Sequence, residues 1–108
     1  MSLNIPESDW KQFKKVHDIL LERFSAKALA DLAAVVETTE GTAHDRFLRA
    51  WKLVNERNED MAQVFDDFRR STAVMQLAIM RRMGLLTDEE LKFFSEATQA
   101  QILGIASL

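Results

Sequence analysis

The chain has 108 residues, 47% apolar and 29% charged, with a net charge of -3. It is too apolar for a disordered chain, about long enough for one domain, and mildly acidic, so it offers no overall attraction to nucleic acid or an anionic membrane. The lack of Cys excludes disulfides and thiolate metal sites, and 3 Gly and 1 Pro supply too few turns for a many-stranded fold.

A single helical domain over 1–108 is therefore expected, all-α, a bundle of four to five helices. The first helix is predicted over about 6–24. Pro6 suits the first turn, and Glu7 and Asp9 favour the positive helix end. Trp10, Phe13, His17, Leu20 and Phe24 recur at 3,4,3,4 spacing, one face of a helix. Ser25 is expected to cap a short second helix over about 26–37, with Ala28, Leu29, Leu32, Val35 and Val36 on its buried side. Residues 38–42 read as a loop, in which Gly41 ends one helix and Thr42 caps the next.

From 43 to 83 there is neither Gly nor Pro. Phe47, Trp51, Val54, Asn58, Met61, Phe65, Phe68, Thr72, Met75 and Ile79 follow 4,3,4,3 spacing without a slip, the stripe of helical bundles and coiled coils. Asn58 and Thr72 are its polar members. As one rod this segment would reach about 60 Å, far beyond a compact domain of this size. Either it breaks, near Arg70-Ser71-Thr72, or it stays whole and a second subunit covers the overhang. The absence of a strong breaker favours the whole helix, so the bundle is expected to be built around this central segment. Gly84 then ends it, and Thr87-Asp88-Glu89-Glu90 forms a capping box that opens a last helix over about 88–105. Leu91, Phe94, Thr98, Ile102 and Ile105 make its inner face.

No pattern carries a recognisable chemistry, and no enzymatic activity and no cofactor are expected. His17 lies on the inner face of the first helix and is expected to be hydrogen-bonded in the core or an interface. His44 is expected at a helix N-terminus on the surface. The turn between Lys27 and Trp51 loosely resembles a helix-turn-helix that would present His44, Arg46 and Arg49 to a major groove. Glu37, Glu40 and Asp45 oppose that reading, so nucleic acid is an alternative partner only. The carboxylates Glu56, Glu59 and Asp60 raise a second alternative, a metal-dependent all-α hydrolase, with Arg57 opposing the cation.

The remaining signal is apolar surface. The stretch 73–83 is apolar on nearly all sides, and a helix of that kind is buried on all sides. The leading expectation is a non-enzymatic interaction or structural protein acting as a homodimer or with a helical partner. Trp51, Phe65, Phe68, Met75, Ile79 and Met83 are its candidate interface or core anchors. No apolar run approaches the roughly 20 residues of a spanning helix. The stretch MSLNIPESDW shows no basic region followed by an apolar one, so no signal peptide is expected and a cytoplasmic location is the default.

Overall fold

The computed structural model describes residues 4–108, so the first three residues of that N-terminal stretch lie outside it. Five helices follow in order: α1 (Glu7–Glu37), α2 (Ala43–Phe65), α3 (Ala73–Arg82), α4 (Asp88–Leu91) and α5 (Glu96–Ala106). A 3-10 turn at Arg70–Thr72 leads into α3, and there is no strand among the described residues. The fold is all-α, and its long helix is α1.

The expected break at Ser25 does not occur. Ala26, Ala28, Ala30, Ala33 and Ala34 follow it, and this run of the strongest helix former carries α1 through the serine. The 43–83 segment, by contrast, is not one helix. It divides at residues 66–69, just before the expected site, without Gly or Pro. Asp67 adopts a left-handed conformation with φ 55°, which a short polar side chain tolerates better than most. Gln76 Nε2 reaches back to donate to the Asp66 carbonyl at 2.6 Å, satisfying the frayed end of α2. The Thr72 hydroxyl donates to the Asp67 carbonyl at 2.7 Å, and Arg69 pairs with the Asp67 carboxylate.

The expected helix over 88–105 also divides. The Thr87–Glu90 capping box is present and opens α4, but the chain leaves the helix again and Ser95 caps α5 by accepting from the Thr98 backbone N–H. A long-range contact selects this break. The buried Asp9 carboxylate accepts from Ser95 N at 2.8 Å, Ser95 Oγ at 2.6 Å and Thr98 Oγ1 at 2.7 Å. One turn of α1 thus acts as an additional cap for a helix 86 residues further on.

The core lies at one end of the molecule. Phe13, Val16 and Leu20 of α1 meet Val74, Leu77 and Met80 of α3, with Leu85, Leu86, Leu91, Phe94 and Ile102 closing around them. Gly84, at φ 76°, turns the chain out of α3, and Leu85 N donates back to the Met80 carbonyl at 2.9 Å. Polar ties from α1 hold this turn. Arg23 Nη1 donates to the Leu85 carbonyl at 2.8 Å and to Glu90 at 2.6 Å, and Lys27 Nζ to the Met83 carbonyl at 2.9 Å. Apart from Met75, the apolar side chains of 73–83 are covered by α1 and α5 of their own chain, which corrects the expectation that the stretch needs a second subunit to hide it.

The other end is a two-helix projection. Arg46 bonds Val36, Arg57 pairs with Asp31, and Phe65 meets Phe24, so α1 and α2 run antiparallel. From residue 26 to residue 63 no residue is buried. This hairpin stretches the molecule to 53 × 25 × 24 Å, with a radius of gyration of 16.6 Å against about 13 Å for a compact domain of this length.

Candidate functional site

A helix turns about 100° per residue, so each hairpin helix has one side toward its neighbour and two flanks. On α1 the inward side carries Phe24, Ala28 and Val35, and one flank carries Ser25, Leu29, Leu32 and Val36. On α2 the inward side carries Ala50, Leu53 and Arg57, and one flank carries Phe47, Trp51, Val54, Asn58 and Met61. Antiparallel pairing puts these two flanks on the same face. A groove of about 370 Å³ runs between them, lined by Leu29, Leu32, Val54, Asn58 and Met61 among others. The opposite face is charged. There Lys27, Asp31, Arg57 and Asp60 line a second depression of about 330 Å³ with Met83 and Leu85.

The apolar face is open to solvent. Leu29 is 66% exposed, Phe47 67% and Trp51 58%, and Val36 and Val54 are each half exposed. Together these five side chains leave on the order of 600 Å² in water, at the top of the range for the largest patch on a monomeric protein. Half-buried Leu32, Leu53 and Met61 extend it. Arg57 is the charged side chain at the groove, and it is paired with Asp31 at 3.4 Å and Asp60 at 3.5 Å.

The sequence-derived anchors fall in three places. Trp51 lies on the open face. Phe65 is buried against His17 and Phe24, and Phe68 stacks on His17 at 3.8 Å and meets Trp10 and Phe13. Ile79 and Met83 pack against the core, and Met75 stands on the exposed side of α3, away from the hairpin groove. The structure does not bring these six together. The face that it does assemble adds Leu29, Val36, Phe47 and Val54. Its α2 half was in the heptad stripe, and its α1 half was assigned to a buried side.

His44 is exposed at the start of α2. Arg46 donates to the carbonyls of Val36 at 3.0 Å and Thr38 at 3.1 Å, and Arg49 donates to that of Glu40. Arg46 therefore neutralises the carbonyl end of α1, where cations are favoured, and Arg49 is held by the loop that follows it. The α1–α2 unit is a long antiparallel hairpin, not the short-turn crossing of a helix-turn-helix. Of the acidic trio, Asp60 pairs with Arg57, and among the described residues no three His, Asp or Glu side chains are grouped to hold a metal ion.

Three polar side chains have partners or surroundings that the sequence did not disclose. Asp9 is sealed at the junction of α1 and α5. Burial acts to raise its pKa, but the hydrogen bonds from Ser95 and Thr98 outweigh it, and the carboxyl sits below its ordinary value. Glu90 behaves alike: burial raises it, and Arg23 and Thr87 bring it below the ordinary value. His17 was expected to be hydrogen-bonded, yet its Nε2 is buried without a partner among the described residues, and the ring is held by aromatic packing.

No helix among the described residues is long and apolar enough to cross a membrane. The chain matches no family model, and no curated protein or solved structure matches it, so the functional reading rests on the hairpin face itself.

Proposed function

We propose that the chain is a non-enzymatic helical interaction protein that works as a homodimer, joined through the apolar face of the α1–α2 hairpin. The observation that carries this reading is the continuity of that face across both helices, from Leu29 and Val36 to Phe47, Trp51 and Val54. A lone hairpin whose inward side is only half-buried and whose apolar flank lies in water is poorly stabilised. Two laid face to face make a four-helix bundle whose shared core is this stripe. With the half-buried neighbours included, the area approaches the roughly 800 Å² that each partner gives to a standard interface.

A second copy fits the face because the stripe positions carry no net charge. Ser25, Leu29, Leu32 and Val36 of α1, and Phe47, Trp51, Val54, Asn58 and Met61 of α2, bring no like charges together when the face meets itself. A Cys-free chain suits a reducing setting such as the cytoplasm.

Light scattering after size exclusion tests the reading with two aspartates. Trp51 is on the stripe. Leu48 is exposed but lies off it, on the outward side of α2. Wild type and Leu48→Asp should run at twice the chain mass. Trp51→Asp should run at the mass of one chain with its helical circular dichroism intact, because an unpaired charge in a sealed interface weakens association by about two orders of magnitude or more. A single-chain mass for wild type, or equal behaviour of the two variants, would overturn the proposal.

A further inference from the structure

The apolar face contains one side chain that an apolar partner would leave stranded. Asn58 lines the groove within the run Phe47, Trp51, Val54, Asn58, Met61. It is exposed, and no hydrogen bond to another described residue engages its amide. Covering it with aliphatic surface would orphan two donors and an acceptor, at a cost that disfavours that partner. Of the groove's other polar residues, Arg57 is held by Asp31 and Asp60. Ser25 is half-buried within α1 and its hydroxyl makes no hydrogen bond to another described residue, but a helical serine hydroxyl can turn to a carbonyl of its own helix, which the longer Asn58 amide cannot do for all its groups.

We infer that Asn58 is the register determinant of the self-association, and that it pairs with Asn58 of the second copy across the two-fold axis. An amide is self-complementary, since each carbonyl oxygen can accept from the other's NH₂. In a two-fold interface only a residue beside the axis meets its own copy. A single polar residue in an apolar helical seam selects partner number and alignment at some cost in stability, because every other register buries it unpaired. Phe47, Trp51 and Val54 then supply the adhesion, and Asn58 decides which of the possible alignments is adopted. The inference rests on the homodimer reading and names the residue that orders it.

The chain's lack of Cys makes the test direct. A disulfide needs Cβ atoms about 4 Å apart, so thiol coupling reports close approach of one position to its own copy. Asn58→Cys and the off-stripe control Leu48→Cys are first sedimented in the reduced state, then oxidised under identical mild conditions and resolved on a non-reducing gel. Asn58→Cys should become a covalent dimer on the order of ten times faster than Leu48→Cys. In parallel, Asn58→Leu should sediment as a mixture including species larger than a dimer, while remaining fully helical. If reduced chains sediment as dimers but position 58 couples no faster than position 48, Asn58 is not at the axis and this inference fails while the dimer stands. If Asn58→Leu remains a clean dimer, the register role fails. If wild type and reduced variants are monomers, the homodimer reading falls, and this one with it.

Discussion

Replacing Asp9 by Ala removes one carboxylate and strands the donors of two residues at the start of α5. The structure sets the size of the effect. Thr98 is 1% exposed, so its hydroxyl, now 2.7 Å from the Asp9 carboxylate, cannot turn to water when the carboxylate is gone. Ser95 is exposed, and its N–H and hydroxyl can recover solvent. One sealed donor costs about 1–3 kcal/mol, and the lost charge-assisted bonds add to it, while release of the buried charge offsets part; the net is about 2–3 kcal/mol. For a chain of this size that lowers the melting temperature by roughly 10–20 °C. Calorimetry at fixed chain concentration reads it, with Asp18→Ala as a control whose side chain is fully in solvent. Thr98→Val should be far milder than Asp9→Ala, and in the double variant the two losses should not add, because removing both partners leaves less unsatisfied. If Asp9→Ala matches Asp18→Ala, or if the two losses add fully, the capping role assigned to Asp9 is wrong.

Two further outcomes follow from the geometry. At Gly41, φ is 85° and a Cβ would stand 3.0 Å from Asp45 Oδ2 and 3.1 Å from its Cβ; Gly41→Ala should cost about 1–2 kcal/mol in urea unfolding, whereas a neutral result would mean that the loop relaxes freely. Asp9 and Glu90 both have pKa values below the ordinary 3.8 and 4.5 in the folded chain. Their contribution is therefore complete above those ordinary values and is lost as pH falls through the lower folded ones. Stability should drop steeply on acidification below about pH 4.5, and Asp9→Asn should flatten that drop, as followed by circular dichroism at stepped pH.

What the residues disclosed and what they concealed divide along contact range. The Thr87–Glu90 capping box and the Thr42 cap were legible because donor and acceptor are three residues apart. Of the inner face Leu91, Phe94, Thr98, Ile102 and Ile105, the first four are buried and Ile105 packs half-buried against the core even though the helix is broken, because burial follows spacing more closely than helix continuity does. A break near residues 70–72 was one of two readings, disfavoured for want of a Gly or Pro; what tips the chain toward it, just after Phe65, is Gln76 folding back over ten residues to meet Asp66. Ser25 misled in the other direction. It resembles a cap, but the alanines after it keep the helix going, and no local signal distinguishes a helical serine from a capping one. Asp9 looked like a charge at a helix start, and its second task lies at the far end of the chain.

The candidate site shows the same limit. The 4,3,4,3 stripe identified a face on 43–65 correctly, but periodicity states which side is apolar and not what covers it. Trp51 and Phe65 hold equivalent stripe positions, yet one is 58% exposed and the other 7%, because α1 and the α3 end of the molecule close over only the later part. The apolar excess attributed to 73–83 is resolved within the chain. The exposed apolar surface lies instead on the hairpin, where α1 supplies Leu29 and Val36 beside Phe47 and Trp51.

Sedimentation equilibrium of the unmodified protein over a wide concentration range addresses that surface most directly. A chain that self-associates through the hairpin face should give a single species at twice 12.4 kDa, with one chain appearing only on strong dilution. A constant mass of 12.4 kDa up to the highest concentrations, with Trp51 still accessible to quencher, would contradict it.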